Sequence, residues 1–289
     1  MHARVAAAIA TAALGVAALL SPTPVARAGE SGEPTVIAHR GASAYAPENT
    51  LASIDKAAKL GFSWVENDVQ RTKDGELVVI HDGSLERTTN VKELFPGRAP
   101  WKVKDFTAAE IARLDAGGWF SPAYAGTRVP TLEQYMRRVE RNHEKLLLEI
   151  KNPELYPGIE QQTLKLLGNQ GWLDQKHLGR LIVQSFSADS IRTVHELKPA
   201  LTTAYLGRPS VTQLHQYARF TDLINPSYGS ISKGYVCTVH SVEGAHGRPL
   251  GVFVWTVNDA DTARKVKDYG VDGLITNKPD VVRAALEAG

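Results

Sequence analysis

The 289-residue chain has one cysteine, no dense cluster of basic residues and few long apolar stretches. Because Cys237 has no second cysteine to pair with, an internal disulfide is excluded and the core must hold the fold. The 33 Lys and Arg residues nearly balance the 31 Asp and Glu residues, so nothing indicates a nucleic-acid partner. Beyond residue 20 no stretch is long and apolar enough for a membrane span.

The first 28 residues have the features of a secretory signal peptide. The apolar run at residues 5–20 is shorter than the ~20 residues of a spanning helix, and prolines follow it. Ala26-Arg27-Ala28 then fits the small-x-small cleavage rule. We therefore expect cleavage after about Ala28 and a secreted, extracellular mature protein of residues 29–289. A membrane anchor is the alternative.

The rest of the chain alternates short apolar runs with segments of helical spacing. We predict eight strands, at residues 35–40, 64–70, 145–151, 180–186, 201–207, 222–226, 251–258 and 273–277. Helices are predicted at residues 49–60, 131–141, 156–169, 188–197, 211–220, 235–245, 260–269 and 280–286. Eight such alternations indicate an α/β fold, the (β/α)8 TIM barrel, with a doubly wound open sheet as the alternative.

Residues 83–130 interrupt this alternation, because they contain little helical pattern. A long excursion inside a compact domain is usually functional. We predict a small insertion after the second strand that covers part of the barrel mouth. Trp119 and Phe120 either line the site or pack the insertion against the barrel.

Polar residues follow the apolar runs, where the active sites of such barrels lie. Side chains two apart on a strand share a face, so Glu66 and Asp68 point the same way, as do Glu149 and Lys151. The polar residues expected at this rim are His39, Arg40, Glu66, Asp68, His81, Asp82, Glu149, Lys151, Gln184 and Asn225, joined by the aromatic Trp255.

The residue types at this rim favour phosphoryl transfer. Three carboxylates, Glu66, Asp68 and Glu149, without a cysteine ligand favour Mg²⁺ or Ca²⁺. Two cationic side chains suit a phosphate, and two imidazoles provide an acid and a base. Taken singly, each has a structural alternative: a histidine can be hydrogen-bonded core, and Glu149 can form a plain ion pair with Lys151.

The same residues occur in motifs by which the chain resembles the glycerophosphodiester phosphodiesterase family, in its secreted bacterial type. The motifs are His39-Arg40-Gly41, Pro47-Glu48-Asn49-Thr50, Glu66-x-Asp68-Val69, Thr72-Lys73-Asp74-Gly75 and His81-Asp82. Weaker matches are Pro130-Thr131-Leu132-Glu133, Glu149-Ile150-Lys151, Gln184-Ser185-Phe186 and Trp255-Thr256-Val257-Asn258. The resemblance spans essentially the whole of residues 29–289.

The resemblance implies metal-dependent hydrolysis of a small-molecule glycerophosphodiester to sn-glycerol 3-phosphate and an alcohol. The implied roles are one divalent cation, Ca²⁺ or Mg²⁺, held by Glu66, Asp68 and Glu149; an acid/base pair, His39 and His81; phosphate binding by Arg40 and Lys151; and packing of Trp255 beside the substrate. Which histidine is the acid stays open. Attack by water and closure of a cyclic phosphate by a glycerol hydroxyl both fit.

Four smaller expectations complete the interpretation. Asn49 is expected to cap the first helix rather than orient the site, and Asp82 to support His81 or the metal. The family often has Asp where this chain has Asn277, and we expect that departure to touch no site residue. The remaining histidines are expected at the surface or at helix ends, and they are His143, His177, His195, His215, His240 and His246.

Three other functions compete with this interpretation. A cyclising phospholipase D of the sphingomyelinase D type shares the barrel and a similar set of His and carboxylate residues. A secreted binding protein that has lost catalysis is a second, and a glycoside hydrolase a third, although its two facing carboxylates are not evident here. The sequence does not specify the alcohol group or the oligomeric state.

Overall fold

The structure is a computed structural model that describes residues 32–288, so the predicted signal peptide lies outside the described residues. The strands within that range are β1 (Thr35–Ala38), β2 (Trp64–Arg71), β3 (Leu77–Val79), β4 (Lys145–Ile150), β5 (Leu181–Ser185), β6 (Thr202–Leu206), β7 (Leu223–Asn225), β8 (Gly251–Val254) and β9 (Gly273–Thr276). The α-helices are α1 (Leu51–Lys59), α2 (Val91–Leu94), α3 (Ala108–Ile111), α4 (Leu132–Arg141), α5 (Ile159–Asn169), α6 (Gln175–Leu178), α7 (Ala188–Leu197), α8 (Leu214–Tyr217), α9 (Lys233–His240), α10 (Ala260–Asp268) and α11 (Pro279–Glu287).

Eight of these strands form a closed parallel barrel. The sheet runs in the order β1, β9, β8, β7, β6, β5, β4, β2, and β1 pairs with both β9 and β2. An open sheet would leave β1 or β2 with a free edge, whereas here Ala38 pairs with Val65. The predicted (β/α)8 barrel with an insertion after its second strand is therefore confirmed.

The ninth strand, β3, was not among the predicted eight. It pairs antiparallel with the end of β2, with Val69 opposite Val79, and so lies outside the barrel. Its three residues are too few to show a period of their own, and the pairing forms only once β2 is in place. Because β3 folds back along β2, it brings the residues that follow it, His81 and Asp82, to the barrel mouth.

The barrel interior is filled by one apolar side chain from each strand, since alternate residues of a strand face the same side. These buried residues are Ile37, Trp64, Leu147, Ile182, Ala204, Leu223, Phe253 and Ile275. The residues between them face outward and pack against the surrounding helices, as Val65 and Leu146 do against Met136. The interior layer fixes which side chains reach the mouth, namely those two positions further along each strand.

The insertion has a hydrophobic core of its own, formed by Val78, Ile80, Leu85, Val91, Val103, Phe106, Ile111, Leu114, Ala116 and Val129. Trp119 and Phe120 belong to its outer part. The Trp119 ring nitrogen donates to the Ala116 carbonyl (2.9 Å), and Phe120 contacts Tyr124, whose hydroxyl donates to the carbonyl of Tyr45 after β1 (2.9 Å). Of the two roles left open for these aromatics, the contacts support packing.

Three predicted helices differ from the observed ones. The predicted helix 156–169 begins only at Ile159, because Gly158 before it has the left-handed φ of 78°. The predicted helix 235–245 ends at His240, since Glu243 pairs instead with Pro249. The predicted helix 211–220 is a 3₁₀ turn followed by the single turn α8. Among residues 32–288 no helix combines the length and apolarity needed to cross a membrane.

Candidate active site

The mouth of the barrel carries polar side chains directly above the interior apolar layer. His39 lies two residues after Ile37, Glu149 two after Leu147, and Trp255 two after Phe253. A single cavity is lined by seven of the eight predicted site residues, together with Gln184 and Phe186. Those seven are His39, Arg40, Glu66, His81, Glu149, Lys151 and Trp255. Asp68 lies beneath it, fully buried.

Three carboxylates meet at the centre of this mouth, and we call Glu66, Asp68 and Glu149 the acidic trio. One oxygen from each lies within 4.8 Å of the others, and all three residues are buried. Asp68 Oδ1 is buried and accepts no hydrogen bond from residues 32–288, leaving a lone pair directed into the cluster. This oxygen-only donor set fits Ca²⁺ or Mg²⁺.

The acidic trio also has an electrostatic reason to bind a cation. Burial, with repulsion from Asp68 second, raises the pKa of Glu66 well above its usual range and that of Glu149 to about 8. Asp68 behaves differently: burial opposes its ionisation, but Arg40, the other nearby cationic groups and the hydrogen bond from Asn49 together outweigh burial and lower its pKa. Without a cation Glu149 therefore holds a proton at neutral pH, and a divalent ion would take the place of that proton.

Arg40 is held at the mouth by its backbone as well as by its side chain. Its left-handed φ of 55° directs its backbone N–H to Glu66 Oε2 at 2.9 Å. Its guanidinium contacts Glu48 (Nη1 to Oε1, 2.8 Å) and Asp68 (Nε to Oδ2, 3.3 Å). The adjacent Gly41 has a φ of 79°, and a Cβ there would clash with Ser53. The His-Arg-Gly motif thus encodes a turn that points Arg40 into the site.

Lys151 lies on the opposite side of the acidic trio. Its ammonium is 2.9 Å from Glu149 Oε1 and 3.8 Å from Asp68 Oδ1. The pair with Glu149 is therefore real, but it is not isolated, because Lys151 Nζ also donates to His81 Nε2 at 3.2 Å. An ammonium and a guanidinium facing each other across a cavity form a natural cradle for a phosphate.

His39 is held by Asn277, which corrects the expectation that Asn277 touches no site residue. His39 Nδ1 lies 2.6 Å from Asn277 Oδ1, which also accepts from the Ser43 hydroxyl (3.0 Å). Because a carboxamide oxygen only accepts, Nδ1 carries the proton and Nε2 is free. Burial first, and Arg40 second, lower the pKa of His39 to about 4. Asn277 follows Ile275 by two residues, the spacing that identified the other mouth residues.

His81 has a charged partner instead. Its Nδ1 lies 2.6 Å from Asp82 Oδ1, the contact expected of Asp82. Asp82 also accepts from Arg87, a residue of the insertion, with its Oδ2 2.6 Å from Nε. Burial opposes ionisation of Asp82, but hydrogen bonds from Arg87 and His81 outweigh it and hold its pKa at about 2. His81 therefore faces a permanent carboxylate.

The expectation that Asn49 caps the first helix is wrong. Thr50 is the N-cap of α1, and its hydroxyl accepts from Ser53 N. Asn49 has a left-handed φ of 58°, and its amide donates to Asp68 Oδ2 (2.8 Å) while its oxygen accepts from Asp68 N (3.3 Å). Asn49 thus orients one member of the acidic trio, the role that had been ranked second.

The remaining residues at and beyond the mouth complete the comparison with the sequence. Trp255 donates its ring N–H to the Asn225 carbonyl (2.8 Å) and contacts Phe186 edge-on, with ring centroids 5.6 Å apart. Phe186 is half exposed and was not singled out as a site residue. Of the other histidines, His177 in the last turn of α6 is buried and stacks on Trp172, so it lies at a helix end rather than at the surface.

Known proteins are similar to this chain in sequence and in fold. The glycerophosphoryl diester phosphodiesterase family matches residues 39–281. A glycerophosphodiester phosphodiesterase from Bacillus subtilis is 37% identical over 266 residues, covering 85% of this chain and 84% of its own. One from Caldanaerobacter subterraneus is 36% identical over 257 residues, covering 88% and 98%.

A solved structure is also similar in fold. It is the Oleispira antarctica phosphodiesterase OLEI02445 in complex with the product sn-glycerol-3-phosphate, with a TM-score of 0.76 and 28% sequence identity. The alignment covers 88% of this chain and 97% of that one. The chain therefore belongs to the glycerophosphoryl diester phosphodiesterase family, and the predicted enzyme class, a phosphoric diester hydrolase, is confirmed.

Proposed function

We propose that this protein hydrolyses glycerophosphodiesters to sn-glycerol 3-phosphate and an alcohol, with one divalent cation, Ca²⁺ or Mg²⁺, at the acidic trio. The observation that carries the proposal is the buried trio flanked by two imidazoles and two cationic side chains around one cavity. The family and the product complex of the Oleispira relative support the same substrate class. A carboxylate trio alone would be a metal site; the surrounding cations make it a phosphodiester site.

The bound phosphate is placed by Arg40 and Lys151. Both side chains now contact carboxylates of the trio and exchange part of those contacts for phosphate oxygens when substrate enters. The cation, when present, supplies Lewis acidity that neutralises charge on the phosphate oxygens. Trp255 and the half-exposed Phe186 form the apolar wall of the cavity, against which the carbon atoms of the substrate pack.

The two imidazoles take different proton-transfer roles. His39 is neutral above about pH 4, so its Nε2 is free to accept a proton from the attacking group, either water or a glycerol hydroxyl whose cyclic phosphate water then opens. His81 has the Asp82 carboxylate behind it, which stabilises positive charge on the ring. When Lys151 turns to the phosphate, His81 Nε2 becomes free to carry a proton. We assign His39 as the general base and His81 as the general acid that protonates the leaving alcohol.

We also propose that the protein is exported and acts outside the cell. The support is the apolar run at residues 5–20 followed by Ala26-Arg27-Ala28. N-terminal sequencing of protein recovered from the medium tests this: a start at about Gly29 is expected, whereas an intact Met1 in the cell fraction contradicts it.

The test of function is the release of sn-glycerol 3-phosphate from glycerophosphocholine, with and without EDTA, beside a His39→Ala variant. We expect activity that EDTA abolishes, that Ca²⁺ or Mg²⁺ restores and that the variant lacks. Cleavage of lysophospholipid or sphingomyelin instead would indicate a phospholipase D. Absence of activity on all three substrate types would indicate a binding protein.

Cation binding gives a second readout, independent of turnover. Since Glu149 holds a proton up to about pH 8 in the cation-free protein, a cation that binds at pH 7 displaces protons into the buffer. Calorimetric titration in two buffers of different ionisation enthalpy should therefore give different heats. Equal heats in both buffers would contradict binding at the acidic trio.

A further inference from the structure

Arg87 is an insertion residue that contacts two carboxylates at the edge of the site. Its Nη1 and Nη2 donate to Glu48 Oε2 and Oε1 at 2.9 and 2.7 Å. Its Nε and Nη2 donate to Asp82 Oδ2 and Oδ1 at 2.6 and 3.2 Å. One guanidinium thus makes a bidentate contact with each of two carboxylates from different parts of the chain, one before α1 and one after β3.

Each of those carboxylates holds a residue of the proposed machinery. Glu48 Oε1 accepts from Arg40 Nη1 at 2.8 Å, and Asp82 Oδ1 contacts His81 Nδ1 at 2.6 Å. Arg87 therefore stands one residue away from both the phosphate-binding guanidinium and the acid imidazole. It touches neither directly, so any influence on the reaction passes through Glu48 and Asp82.

These contacts close a ring of side chains, which we call the charge ring, and three of its members, Arg40, Lys151 and His81, line the cavity. In order, its members are Arg40, Asp68, Lys151, His81, Asp82, Arg87 and Glu48, which returns to Arg40. Cationic and anionic groups alternate around it, with His81 in a position between Lys151 and Asp82. Arg87 is the member supplied by the insertion.

We propose that Arg87 is a positioning residue, which fixes Arg40 and His81 relative to each other by clamping Glu48 and Asp82. The proposal rests on the proposed function for its reaction. Without the guanidinium, two carboxylates that now share Arg87 Nη2 would face each other with no cation between them. Their repulsion would turn Glu48 and Asp82 away from their present orientations and so release both Arg40 and His81.

An exposed ion pair usually contributes little free energy, so a larger contribution from Arg87 requires a structural reason. Its side chain is 45% exposed, but the Glu48 side chain it holds is only 13% exposed. Both contacts are bidentate and belong to a network, the arrangement in which surface charges do contribute. The competing explanation is that Arg87 only fastens the insertion to the barrel.

Arg98 is a matched control for that competing explanation. It is also an arginine of the insertion, and it pairs with Glu110 and lies over Phe106, 3.8 Å from the ring centroid. Removing it should loosen the insertion core without touching the charge ring. Arg98→Ala is therefore expected to lower the melting temperature while leaving the ratio of kcat to KM close to that of the wild type.

The experiment measures kcat and KM on glycerophosphocholine for the wild type, Arg87→Ala, Arg87→Lys and Arg98→Ala. Arg87→Ala should lose roughly 10- to 100-fold in kcat/KM, as expected when a residue behind a catalytic group is removed. The loss should appear in both parameters: kcat falls through His81, and KM rises through Arg40. Arg87→Lys, which keeps the charge but not the fork, should recover only part.

Chemical rescue separates positioning from folding. Guanidinium ion, added far below denaturing concentrations, should restore part of the activity of Arg87→Ala and none in Arg98→Ala. The proposal is overturned if Arg87→Ala keeps the wild-type kcat/KM. It is also overturned if Arg98→Ala loses as much activity for the same loss of melting temperature, or if no guanidinium rescue occurs.

Measuring the affinity for sn-glycerol 3-phosphate tests the role of Arg87 separately from the proposed function. An inactive wild-type protein would contradict the function, but affinity for this ligand can still be compared between variants. Arg87→Ala should then bind it roughly 5- to 10-fold more weakly than the wild type, through the release of Arg40. Unchanged affinity in Arg87→Ala would overturn the inference in that case too.

Discussion

The two histidines of the site have the same side chain and opposite surroundings. His39 is partly buried and faces a neutral amide, Asn277 Oδ1 at 2.6 Å. His81 is partly exposed, faces the carboxylate of Asp82 at the same distance, and receives a hydrogen bond from Lys151. In both rings Nδ1 is occupied and Nε2 is directed elsewhere, so the difference lies in the charge of the partner rather than in its position.

That difference teaches how one residue type would supply both halves of the proposed acid–base catalysis. For His39, burial and the nearby Arg40 outweigh the hydrogen bond to the Asn277 amide, which favours the charged ring, and keep the imidazole neutral down to about pH 4. An imidazole beside a carboxylate that is ionised above about pH 2 is stabilised when it becomes charged. The environments, and not the imidazoles, divide the roles, as in other sites with two like groups.

The largest expected effect comes from removing either imidazole. His39→Ala and His81→Ala should each lower kcat on glycerophosphocholine by about 10²–10⁴-fold, since each removes a proton-transfer step. In a substrate with a p-nitrophenyl group, the leaving group departs as the p-nitrophenolate anion and needs no proton from a general acid. On that substrate His81→Ala should recover most of its activity, whereas His39→Ala should not.

A matched control for this pair is His215→Ala, which removes an exposed imidazole of α8. This variant should have the wild-type kcat on both substrates. If both site variants lose the same activity on both substrates, the division into a base and an acid is wrong. If the recovery is seen in His39→Ala instead, the two roles are reversed.

The next effect comes from exchanging the partners. Asp82→Asn gives His81 the kind of partner that His39 has, and should lower kcat about 10- to 100-fold because charge on His81 is no longer stabilised. Its effect should be larger for glycerophosphocholine than for the p-nitrophenyl substrate. Equal losses on both substrates would mean that Asp82 supports the architecture rather than the proton on His81.

The reciprocal exchange, Asn277→Asp, gives His39 a carboxylate partner. A nearby negative charge favours the imidazolium, so the pKa of His39 should rise from about 4, by roughly 1–2 units. Only neutral His39 accepts a proton, so activity near pH 5 should fall while activity at pH 8 is retained. The pH profile of kcat/KM measures this. If the fall in activity at low pH is the same as in the wild type, the residue at position 277 does not control the pKa of His39.

The sequence predicted the barrel because its signals are periodic and local. Apolar runs separated by helical segments recur eight times, and each run is long enough to show its pattern. The strand β3 escaped prediction because its partner, the end of β2, is set by tertiary structure. The same holds for the end of α9, where a pairing of Glu243 with Pro249 replaces the last predicted helical turn.

The site was predictable as far as charge and strand spacing reach. Four site residues each follow an interior apolar residue by two positions, namely His39, Glu66, Glu149 and Trp255. Asn277 obeys the same rule after Ile275, but it was read only as a departure from the family pattern, and the sequence did not reveal its contact with His39. Arg87 could not be found, because an arginine in an irregular insertion has no pattern and one of its two partners, Glu48, is 39 residues away in the chain.

Substitution of Glu144 is expected to have the smallest effect on activity, and it tests stability separately from catalysis. Glu144 is a buried carboxylate that immediately precedes β4, so it lies at the opposite end of that strand from the mouth. Burial raises its pKa to about 8 against a hydrogen bond from Asn142. The folded state therefore binds its proton more tightly than the unfolded state, and its contribution to stability is present below about pH 4.5 and lost as pH rises through about 8.

Glu144→Gln should abolish that part of the pH dependence. Urea unfolding at pH 5 and pH 8 measures the free energy of unfolding. Between these two pH values that free energy should fall by roughly 1–3 kcal/mol more in the wild type than in the variant. The pH profile of kcat/KM should stay that of the wild type, because Glu144 contacts neither imidazole and reports only on the folded barrel. A profile that moved with Glu144→Gln would mean that its limbs report unfolding, and the contrast between His39 and His81 would lose its support from pH.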